Sequence, residues 1–464
     1  MGLPGYPRLP VPEDMMPGLR TLSEALSRGE TSSVSLVEQA LTLANQSDSV
    51  FTAINPGLLN LAQSIDKARK KSQSLSPLAG IPIALKDLFN VRNERTLAGS
   101  TVREHYAQPE AADAEVVAPL RAAGLLFLGR TNMSEFAFSG IGKNPHYGTP
   151  LSIWDRATGR LPGGSSSGSA VAVAEGIVVA ALGSDTAGSC RIPAAFNGIV
   201  GVKPSHGRMS LNGIYPLSPT LDAPGPLAVD VDSCFILDQL MCARTQPAAE
   251  LPRLEPANLE MIKLVIPEAR VMEDLDAEVR GAFERSVDAL AAAGVNIRQA
   301  AMPVLDHCDD FFRERPIVVY EVWQHHREML QQHLDEYDPF VGLRMSVGAE
   351  ISVEEQQNRY RERDRIVDTF NRQFESLHAD ALLYPSVACV PPAISETDDE
   401  DDARRVNLRC LRNTATVNYF DGCSISLPCH RPGEPPVGIM LSAANGRDDR
   451  LYQLAAAIEA TLKT

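Results

Sequence analysis

The chain has 464 residues, of which 44% are hydrophobic and 22% charged, a balance that argues against wholesale disorder and fibrous repeats. Its formal net charge of −16 argues against a nucleic-acid partner, because proteins that bind phosphate backbones usually carry a basic surface. No apolar run approaches the roughly 18 uninterrupted residues of a membrane-spanning helix. The stretch MGLPGYPRLPVPEDMM lacks the regions of a secretory signal, so we expect a cytoplasmic protein without membrane association.

Cysteine and histidine spacing gives no support for a metal site. The eight cysteines are scattered without Cys-x-x-Cys pairs, which argues against zinc ribbons and dense disulfide frameworks. No His-Glu-x-x-His pattern is present, and His325, His326 and His333 lie on a charged helical segment where solvated side chains are expected. We therefore expect no metal ion.

Hydrophobic periodicity predicts the elements in chain order. The stretch TSSVSLVEQALTLANQSD places Ser35 and Glu38 at the spacing of a capping box, which predicts an early helix. From residue 80, the short apolar runs GIPIALKD, GLLFLGRT, GIVVAALGSD and GIVGVKPS alternate with helical patterns such as DAEVVAPLRAAG. That alternation is typical of an α/β fold.

The later part of the chain predicts an insertion into this fold. Charged amphipathic segments between about 250 and 375 predict a helical insert. Strand-like runs return in ADALLYPS, CSISLP and PVGIMLSA, and the acidic stretch SETDDEDDARR between them is interpreted as a solvated loop. We expect a single domain over 1–464, with its core at about 76–245 and 376–464.

Two serine motifs lack the structural context that catalysis requires. Gly164, Ser166 and Gly168 satisfy Gly-x-Ser-x-Gly. The nucleophile elbow of α/β hydrolases needs a strand before the serine, whereas WDRATGRLPGG is polar and rich in turn residues. Ser64 and Lys67 form Ser-x-x-Lys, but no Ser-Asp-Asn or Lys-Thr-Gly accompanies them, so we expect both on an exposed helix.

The loop around Ser189 and the lysine at position 86 remain as candidates for catalytic groups. The loop GSDTAGSCR follows the strand-like run IVVAAL and has small residues around Ser189. Such a loop lets backbone N–H groups converge on one atom, which suits an oxyanion. Lys86 ends the apolar run GIPIALKD, where a lysine is either partly desolvated or extends to solvent, and Asp87 beside it fits both interpretations.

The stretches GIPIALKD, LPGGSSSGS and GSDTAGSCRIPAAFNGIVGVKPS, in this order, closely resemble the amidase signature family of serine hydrolases. The resemblance extends from the N-terminal helical region through TNMSEFAFSGIGKNPHYGTP to SISLPCHRPGEPPVGIML. It implies a large mixed twisted β-sheet covered on both faces by α-helices, and hydrolysis of linear amides. No cofactor is implied, because protein groups account for every step, and the resemblance also suggests a homodimer.

By that resemblance Ser189 is the acyl-enzyme nucleophile, Lys86 the general base and Ser165 the bridging serine, which the family holds in a cis peptide. In the family the two serines lie 24 positions apart, which selects Ser165 over Ser166 and Ser167. A serine hydroxyl needs an adjacent deprotonated base, and burial lowers a lysine pKa toward neutrality. We therefore predict that Lys86 is buried and hydrogen-bonded to Ser165 rather than paired to its neighbouring aspartate.

The remaining site residues are implied by the same resemblance. They comprise backbone donors for an oxyanion, groups that support the loops, residues beside the pocket, and candidates for a lid. The oxyanion donors are Thr186, Ala187, Gly188 and Ser189; the supporting residues are Ser166, Asp185 and Arg191; the substrate-binding residues are Met133, Phe136 and Gly140; and the lid candidates are Tyr320 and Trp323. Ala187 stands where many members have glycine, so this geometry depends on whether position 187 needs a positive φ.

Three functions stay open at this point. The first is a stand-alone amidase that releases ammonia or an amine from a small-molecule amide, with allophanate-like or biuret-like ureides as the alternative substrates. The second is a glutaminase resembling the amide-hydrolysing component of tRNA-dependent amidotransferases, which passes ammonia to a partner. The third is a binding protein on an inactivated scaffold, against which the retention of Lys86, Ser165 and Ser189 argues.

Overall fold

The computed structural model of the protein describes residues 17–243, 250–308 and 316–463. These residues form one eleven-stranded sheet and its surrounding α-helices. The strands are β1 (Phe51–Ile54), β2 (Pro82–Lys86), β3 (Leu126–Thr131), β4 (Ala180–Asp185), β5 (Val200–Lys203), β6 (Ala223–Ala228), β7 (Lys263–Glu268), β8 (Asn296–Ala301), β9 (Ala381–Pro385), β10 (Cys423–Pro428) and β11 (Gly438–Ala443). The helices are α1 (Leu19–Arg28), α2 (Ser33–Gln46), α3 (Leu58–Lys70), α4 (Ala118–Ala122), α5 (Ser167–Ala174), α6 (Arg191–Asn197), α7 (Val231–Met241), α8 (Ala277–Ala292), α9 (Ile317–His333), α10 (Pro339–Ser346), α11 (Val353–Ser376), α12 (Glu400–Leu411), α13 (Ala415–Tyr419) and α14 (Asp448–Leu462).

The sheet is mixed, with the strand order β1-β3-β2-β4-β6-β5-β10-β11-β9-β7-β8. Strand β2 runs parallel to β3 and β4, and β7 runs parallel to β8 and β9. The other neighbouring strands are antiparallel. The predicted α/β fold with a large mixed sheet is therefore confirmed, and the strands that return late in the chain join the same sheet.

Apolar side chains cover both faces of the sheet. In β2, Ile83 and Leu85 belong to the largest buried cluster, whereas Ala84 between them belongs to a second cluster. Successive strand residues point to opposite faces, so the two clusters lie on opposite sides. Helices α7 and α14 contribute to the first cluster and α5 to the second. Burial on both faces explains why these strands are continuous apolar runs in the sequence.

The central parallel strands bring the two chemistry-bearing segments together. Ala84 of β2 pairs with Ala181 of β4, and Leu85 pairs with Leu182. Because parallel neighbours end at the same edge of a sheet, Lys86 lies beside the loop that follows β4. Helix α5 packs here as well, since the hydroxyl of its Ser169 donates to the carbonyl of Leu182 at 2.9 Å.

Residues 250–375 are not purely helical, and that part of the prediction was wrong. They contain β7 and β8, which extend the sheet beyond β9. Strand β8 is mostly exposed along its length, so its sequence lacks the apolar pattern of a central strand. Helices α8 to α11 supply the helical part. The core boundary expected near residue 245 lies outside the described residues.

Two local predictions also need correction. Helix α2 is the predicted early helix, but the side chain of Ser32, not Ser35, caps it by accepting a hydrogen bond from the Ser35 N–H at 3.1 Å. The acidic stretch expected to be a loop begins α12, where Asp399 accepts a hydrogen bond from the Asp402 N–H at 2.8 Å. Acidic residues in a first turn lie at the positive end of the helix dipole, which explains the composition.

The described residues contain no helix with the length and apolarity needed to cross a membrane. All eight cysteines lie within the described ranges, and each is a free thiol.

The motif serine Ser64 lies exposed on α3 with its hydroxyl bonded to the carbonyl of Asn60 at 2.9 Å, and Lys67 is exposed on the same helix. These two residues therefore have the surface position expected of them.

Gly129 and Gly281 offer a matched pair of substitutions that tests the sheet. An added Cβ at Gly129 in β3 would lie 2.2 Å from the carbonyl oxygen of Ala53, whereas at Gly281 in α8 it would meet nothing closer than 3.6 Å. Gly129→Ala should lower the melting temperature, because overpacking costs about 1–3 kcal/mol. Gly281→Ala should raise it, because alanine is favoured over glycine in helices by about 1 kcal/mol. Thermal unfolding followed by circular dichroism checks both, and a Gly129→Ala variant as stable as wild type would contradict the β1–β3 pairing.

Candidate active site

Lys86 lies at the carboxyl end of β2 with its side chain fully buried. Its Nζ is 2.7 Å from the hydroxyl oxygen of Ser165 and 2.8 Å from that of Ser184. Burial lowers the pKa of Lys86 to about 7, and the carboxylates of Asp185 and Asp222 only partly oppose that effect. A substantial fraction of the amine is therefore uncharged at neutral pH, as a base requires.

The carboxylate next to Lys86 in sequence is engaged elsewhere. Asp87 accepts a hydrogen bond from Nε of Arg130 at 3.1 Å and from the N–H of Gly99 at 3.4 Å. Both Asp87 and Arg130 are buried. The geometry is the one predicted from the sequence, in which the amine contacts Ser165 and not the neighbouring aspartate.

Ser165 follows a cis peptide bond, Gly164–Ser165. The segment after β3 packs against this loop: the N–H of Gly164 donates to the carbonyl of Gly140 at 2.8 Å, and the N–H of Ser134 donates to the carbonyl of Ser165 at 3.2 Å. Ser165 is fully buried. The stretch from Ser134 to Gly140 therefore lies directly beside the first serine loop.

The two serine loops contact each other through their backbones. The N–H of Ser166 donates to the carbonyl of Ser189 at 3.2 Å, and the Ser166 hydroxyl donates to the carbonyl of Ser184 at 3.3 Å. Helix α5 begins immediately afterwards, and Ser189 lies just before α6. The structure thus brings Lys86, Ser165 and Ser189 together at one edge of the sheet.

A buried ion pair shapes the turn that carries Ser189. Asp185 accepts hydrogen bonds from Nη2 and Nε of Arg191 at 2.8 and 3.0 Å, and from the N–H of Cys190 at 3.0 Å. Asn418 donates to the same carboxylate at 3.0 Å. Burial alone would raise the pKa of Asp185, but Arg191 lowers it to about 2. The supporting role predicted for Asp185 and Arg191 has a physical basis in these contacts.

The backbone donors differ from the predicted set. The N–H of Gly188 donates to the Asp185 carboxylate at 2.8 Å, so its proton is directed into the turn and is not free for a ligand. Within the described residues, the N–H groups of Thr186, Ala187 and Ser189 have no hydrogen-bond acceptor. Gly188 must therefore be removed from the predicted donors, and three N–H groups remain.

Glycine is required at position 188 and not at position 187. Gly188 has φ +134°, and an added Cβ there would lie 2.1 Å from Oγ1 of Thr414. Ala187 is not among the residues with positive φ, and its carbonyl accepts a hydrogen bond from Thr414 at 2.7 Å. Alanine is consequently tolerated at 187 without backbone strain.

The residues predicted to bind substrate occupy different environments. Met133 is fully buried, with its N–H bonded to Oδ1 of Asn132 and its carbonyl bonded to Nδ2 of Asn144, both at 2.7 Å. Gly140 contacts the first serine loop as described, and its N–H donates to Asn407 at 2.7 Å. Met133 and Gly140 therefore shape the segment that borders the loop.

Phe136 is the centre of an aromatic cluster. Its ring centroid lies 5.6 Å from that of Tyr215, 4.3 Å from that of His326 and 5.3 Å from that of Tyr337. His326 is fully buried and 3.1 Å from the Tyr337 hydroxyl, and burial lowers its pKa to about 3. The expectation that His326 is solvated was wrong, because α9 is charged overall but buries one face.

The two lid candidates on α9, Tyr320 and Trp323, are partly buried and pack against the largest apolar cluster. Trp323 contacts Gly348, where an added Cβ would lie 2.4 Å from the Trp323 Cβ. These are packing contacts within the core, and the role of a lid stays a prediction.

Several residues around the site were not identified from the sequence. Ser184, the second hydroxyl beside Lys86, lies on β4, so only the β2–β4 pairing reveals it. Thr414 and Asn418 contact the Ser189 turn from positions more than 220 residues away along the chain. Their neighbourhood carries no pattern that marks chemistry, so no signal in a single sequence identifies them.

Arg344 on α10 borders the same segment. Its guanidinium lies 4.5 Å from the Phe138 ring centroid and 4.7 Å from that of Phe340, and Nη1 donates to the carbonyl of Phe138 at 3.2 Å. No carboxylate of the described residues forms an ion pair with it. Burial, with Arg404 nearby, lowers the pKa of Arg344 to about 10. The carboxylates of Asp338 and Glu400 partly oppose that shift, and Arg344 remains a cation at neutral pH with no carboxylate of the described residues within ion-pair distance.

Comparisons with known proteins find similarity over most of the chain. The model of the family described as Amidase matches residues 34–452. The chain is 32% identical to 2-amino-5-chloromuconic acid deaminase of Comamonas testosteroni, over 86% of each chain. It is 31% identical to the A subunit of glutamyl-tRNA(Gln) amidotransferase from Syntrophus aciditrophicus (strain SB), over 89% of each chain.

A crystal structure of an amidase superposes with a TM-score of 0.84 at 30% sequence identity, covering 96% of this chain and 99% of the other. The family model spans most of the chain, and these relatives are matched over nearly their full length. The chain therefore belongs to the amidase signature family and is a hydrolase that acts on carbon–nitrogen bonds.

Proposed function

We propose that the protein is a stand-alone amidase that cleaves a carboxylic amide through an acyl-enzyme on Ser189. The observation that carries this proposal is the buried amine of Lys86 at 2.7 Å from the Ser165 hydroxyl. The Ser165 loop is hydrogen-bonded to the backbone of Ser189 through its neighbour Ser166. A base, a bridging hydroxyl and a nucleophile are thereby available in one place.

In this mechanism the lone pair of neutral Lys86 takes the proton of Ser165, while Ser165 takes the proton of Ser189. The Ser189 oxygen bonds to the amide carbon, and the carbonyl becomes an oxyanion. When the carbon–nitrogen bond breaks, the same relay returns the proton to the leaving nitrogen. Water then attacks the acyl-enzyme, its proton passes to the relay, and the carboxylate product leaves Ser189.

The oxyanion is stabilised by the N–H groups of Thr186, Ala187 and Ser189, which lack an acceptor within the described residues. Donors already fixed in the folded protein stabilise developing charge without reorganising, and each lowers the barrier by about 3 kcal/mol. Asp185 holds the turn through Gly188 and Arg191. The ion pair therefore acts on geometry and takes no part in proton transfer.

The substrate in this proposal carries a carboxylate in addition to the amide. Arg344 is a cation with no ion-pair partner within contact distance among the described residues, and it lies beside Phe138. That segment borders the Ser165 loop through Gly140 and Gly164. One nitrogen of the guanidinium is bonded to the Phe138 carbonyl, and its remaining N–H donors match the geometry of a carboxylate. The name of one relative, 2-amino-5-chloromuconic acid deaminase, also specifies an acid.

A second candidate function is that of a glutaminase within an amidotransferase. It is favoured by the similarity to the A subunit of glutamyl-tRNA(Gln) amidotransferase, and glutamine is itself an amide that carries a carboxylate. The two functions differ in whether the chain alone, without a partner protein, hydrolyses its substrate in repeated cycles. Ureides such as allophanate or biuret are alternative substrates for the same machinery.

A substrate panel tests the function directly. The purified chain alone should release ammonia from carboxylate-bearing primary amides in sustained turnover, and Ser189→Ala should release none, because no acyl-enzyme forms. Assay of glutamine and of ureides in the same panel separates the alternatives. Turnover of glutamine only when a partner is added would favour the amidotransferase, and an active-site fluorophosphonate that fails to label Ser189 would favour an inactive scaffold.

Lys86 should impose a pH dependence on the reaction. Only its neutral form accepts a proton, so kcat/KM should fall as the pH is lowered through about 7, the pKa set by burial. Lys86→Met should lower kcat/KM by about 10² to 10⁴-fold and remove this limb of the profile. Lys67→Met, which removes an exposed lysine on α3, is the control and should keep both rate and profile. A wild-type profile that is flat between pH 6 and 9 would contradict the assignment.

Arg344 should distinguish acidic from neutral amides. Arg344→Gln should raise KM by about 10- to 100-fold for amides that carry a carboxylate, since hydrogen bonds to charged groups contribute about 1.5–3 kcal/mol. The kinetics of an uncharged amide of the same size should stay near those of wild type. Arg361→Gln, an exposed change on α11, provides the control. Equal losses for both substrates would show that Arg344 is structural and does not select acids.

A further inference from the structure

Three side chains capable of metal ligation meet in a cluster that includes no residue of the Lys86 and serine-loop site. His105 ends a short 3-10 helix over Val102–His105, His333 ends α9, and Glu336 ends the next 3-10 helix over Leu334–Glu336. One ligand atom of each residue lies within 4.8 Å of the other two. The cluster therefore joins two segments that are more than 200 positions apart in the sequence.

Both imidazoles direct a nitrogen at the same carboxylate. Nε2 of His105 lies 2.8 Å from Oε2 of Glu336, and Nδ1 of His333 lies 2.7 Å from Oε1. The two rings stack with their centroids 4.5 Å apart and their planes at 13°. The two nitrogens thus lie beside the two oxygens of one carboxylate, and one ligand atom of each residue lies within 4.8 Å of the others, close enough for one cation to bridge all three residues.

Tyr106 and Gln332 support the orientation of the rings. Tyr106 packs edge-on against His333 with centroids 5.8 Å apart, and it also packs edge-on against His105. Its hydroxyl donates to the side-chain carbonyl of Gln332 at 2.9 Å. Edge-on packing against Tyr106 restricts the rotation of both imidazole rings.

The donor set selects the class of metal. Two imidazoles and one carboxylate suit Zn²⁺ and its neighbours in the first transition row, whereas Mg²⁺ and Ca²⁺ prefer oxygen ligands only. Metal–ligand bonds of about 2.0–2.2 Å separate the ligand atoms by roughly 3–3.5 Å. The two nitrogen–oxygen separations of 2.7 and 2.8 Å need to open by less than about 1 Å, and the nitrogen–nitrogen separation, which is within 4.8 Å, needs to fall in the same range. His105 and Glu336 are exposed, so water has access to complete the coordination.

We propose that His105, His333 and Glu336 bind one divalent transition-metal ion, with Zn²⁺ as the cation that fits best. The bound ion links the segment after Ser100, through His105, to the end of α9, through His333 and Glu336. Both segments already meet at Glu135, which accepts hydrogen bonds from the Ser100 hydroxyl at 2.6 Å and from the Asp338 N–H at 2.7 Å. The site is therefore structural and separate from the proposed catalytic relay. The sequence predicts no metal site because its ligands form no contiguous motif.

The test is a Zn²⁺ titration of the full, tag-free chain after removal of metals with EDTA, followed by calorimetry and by thermal unfolding. Wild type should bind one equivalent and melt at a higher temperature in its presence. His105→Gln, His333→Gln and Glu336→Gln should each weaken binding at least 10-fold and abolish the rise. His378→Gln, which changes an exposed histidine elsewhere, should behave as wild type, and Mg²⁺ should not replace Zn²⁺.

Two results would overturn the proposal. One is the absence of saturable Zn²⁺ binding to wild type at micromolar concentrations. The other is unchanged one-to-one binding in a His105→Gln, His333→Gln double variant. Circular dichroism of each metal-free variant establishes that it is folded, and the Glu336→Gln variant keeps the shape of the side chain, so a loss of affinity there reflects the lost ligand charge.

Discussion

The amine of Lys86 is buried, and no carboxylate of the described residues is hydrogen-bonded to it. The contacts around the amine are those that suit its uncharged form. A fall in pKa from 10.5 to about 7 corresponds to roughly 5 kcal/mol in favour of the neutral form. The two hydroxyls of Ser165 and Ser184 provide hydrogen bonds that an uncharged amine satisfies. The nearest acid in the sequence, Asp87, is instead paired with Arg130, so the lysine keeps its lowered pKa.

A second buried lysine shows that burial alone does not place an amine beside a hydroxyl, as the role proposed for Lys86 requires. Lys203 ends β5, and burial lowers its pKa to about 8. Its Nζ donates to the carbonyls of Pro204 and Gly422, both at 2.7 Å. Carbonyls accept protons in hydrogen bonds but have none to give, so Lys203 has no hydroxyl to deprotonate there. The chemistry of Lys86 thus depends on the partners of the amine as much as on its desolvation.

The sequence predicted the fold best where a strand is buried on both faces, because such a strand is a continuous apolar run. The buried parallel strands and the return of the late strands to one sheet were predictable because continuous apolar runs mark them, whereas the contact between Lys86 and Ser165 was predicted through the resemblance to the amidase signature family. Strand β8 was missed because it is mostly exposed. The Gly188 N–H was misassigned because only the position of the Asp185 carboxylate shows where that proton points. Arg344 was missed because the lack of an ion-pair partner among the described residues is a property of the folded chain.

The turn that presents Ser189 is completed by the far end of the polypeptide. Thr414 bonds to Ala187 across 227 positions, and Asn418 bonds to Asp185 across 233. A ribosome-bound chain that has emerged only as far as α11 already contains every group of the proposed relay but lacks these supports. Under the proposed mechanism, competence for catalysis would therefore arise only after the segment that carries Thr414 and Asn418 has been made and has docked, and a product truncated before that segment would remain inert toward amides.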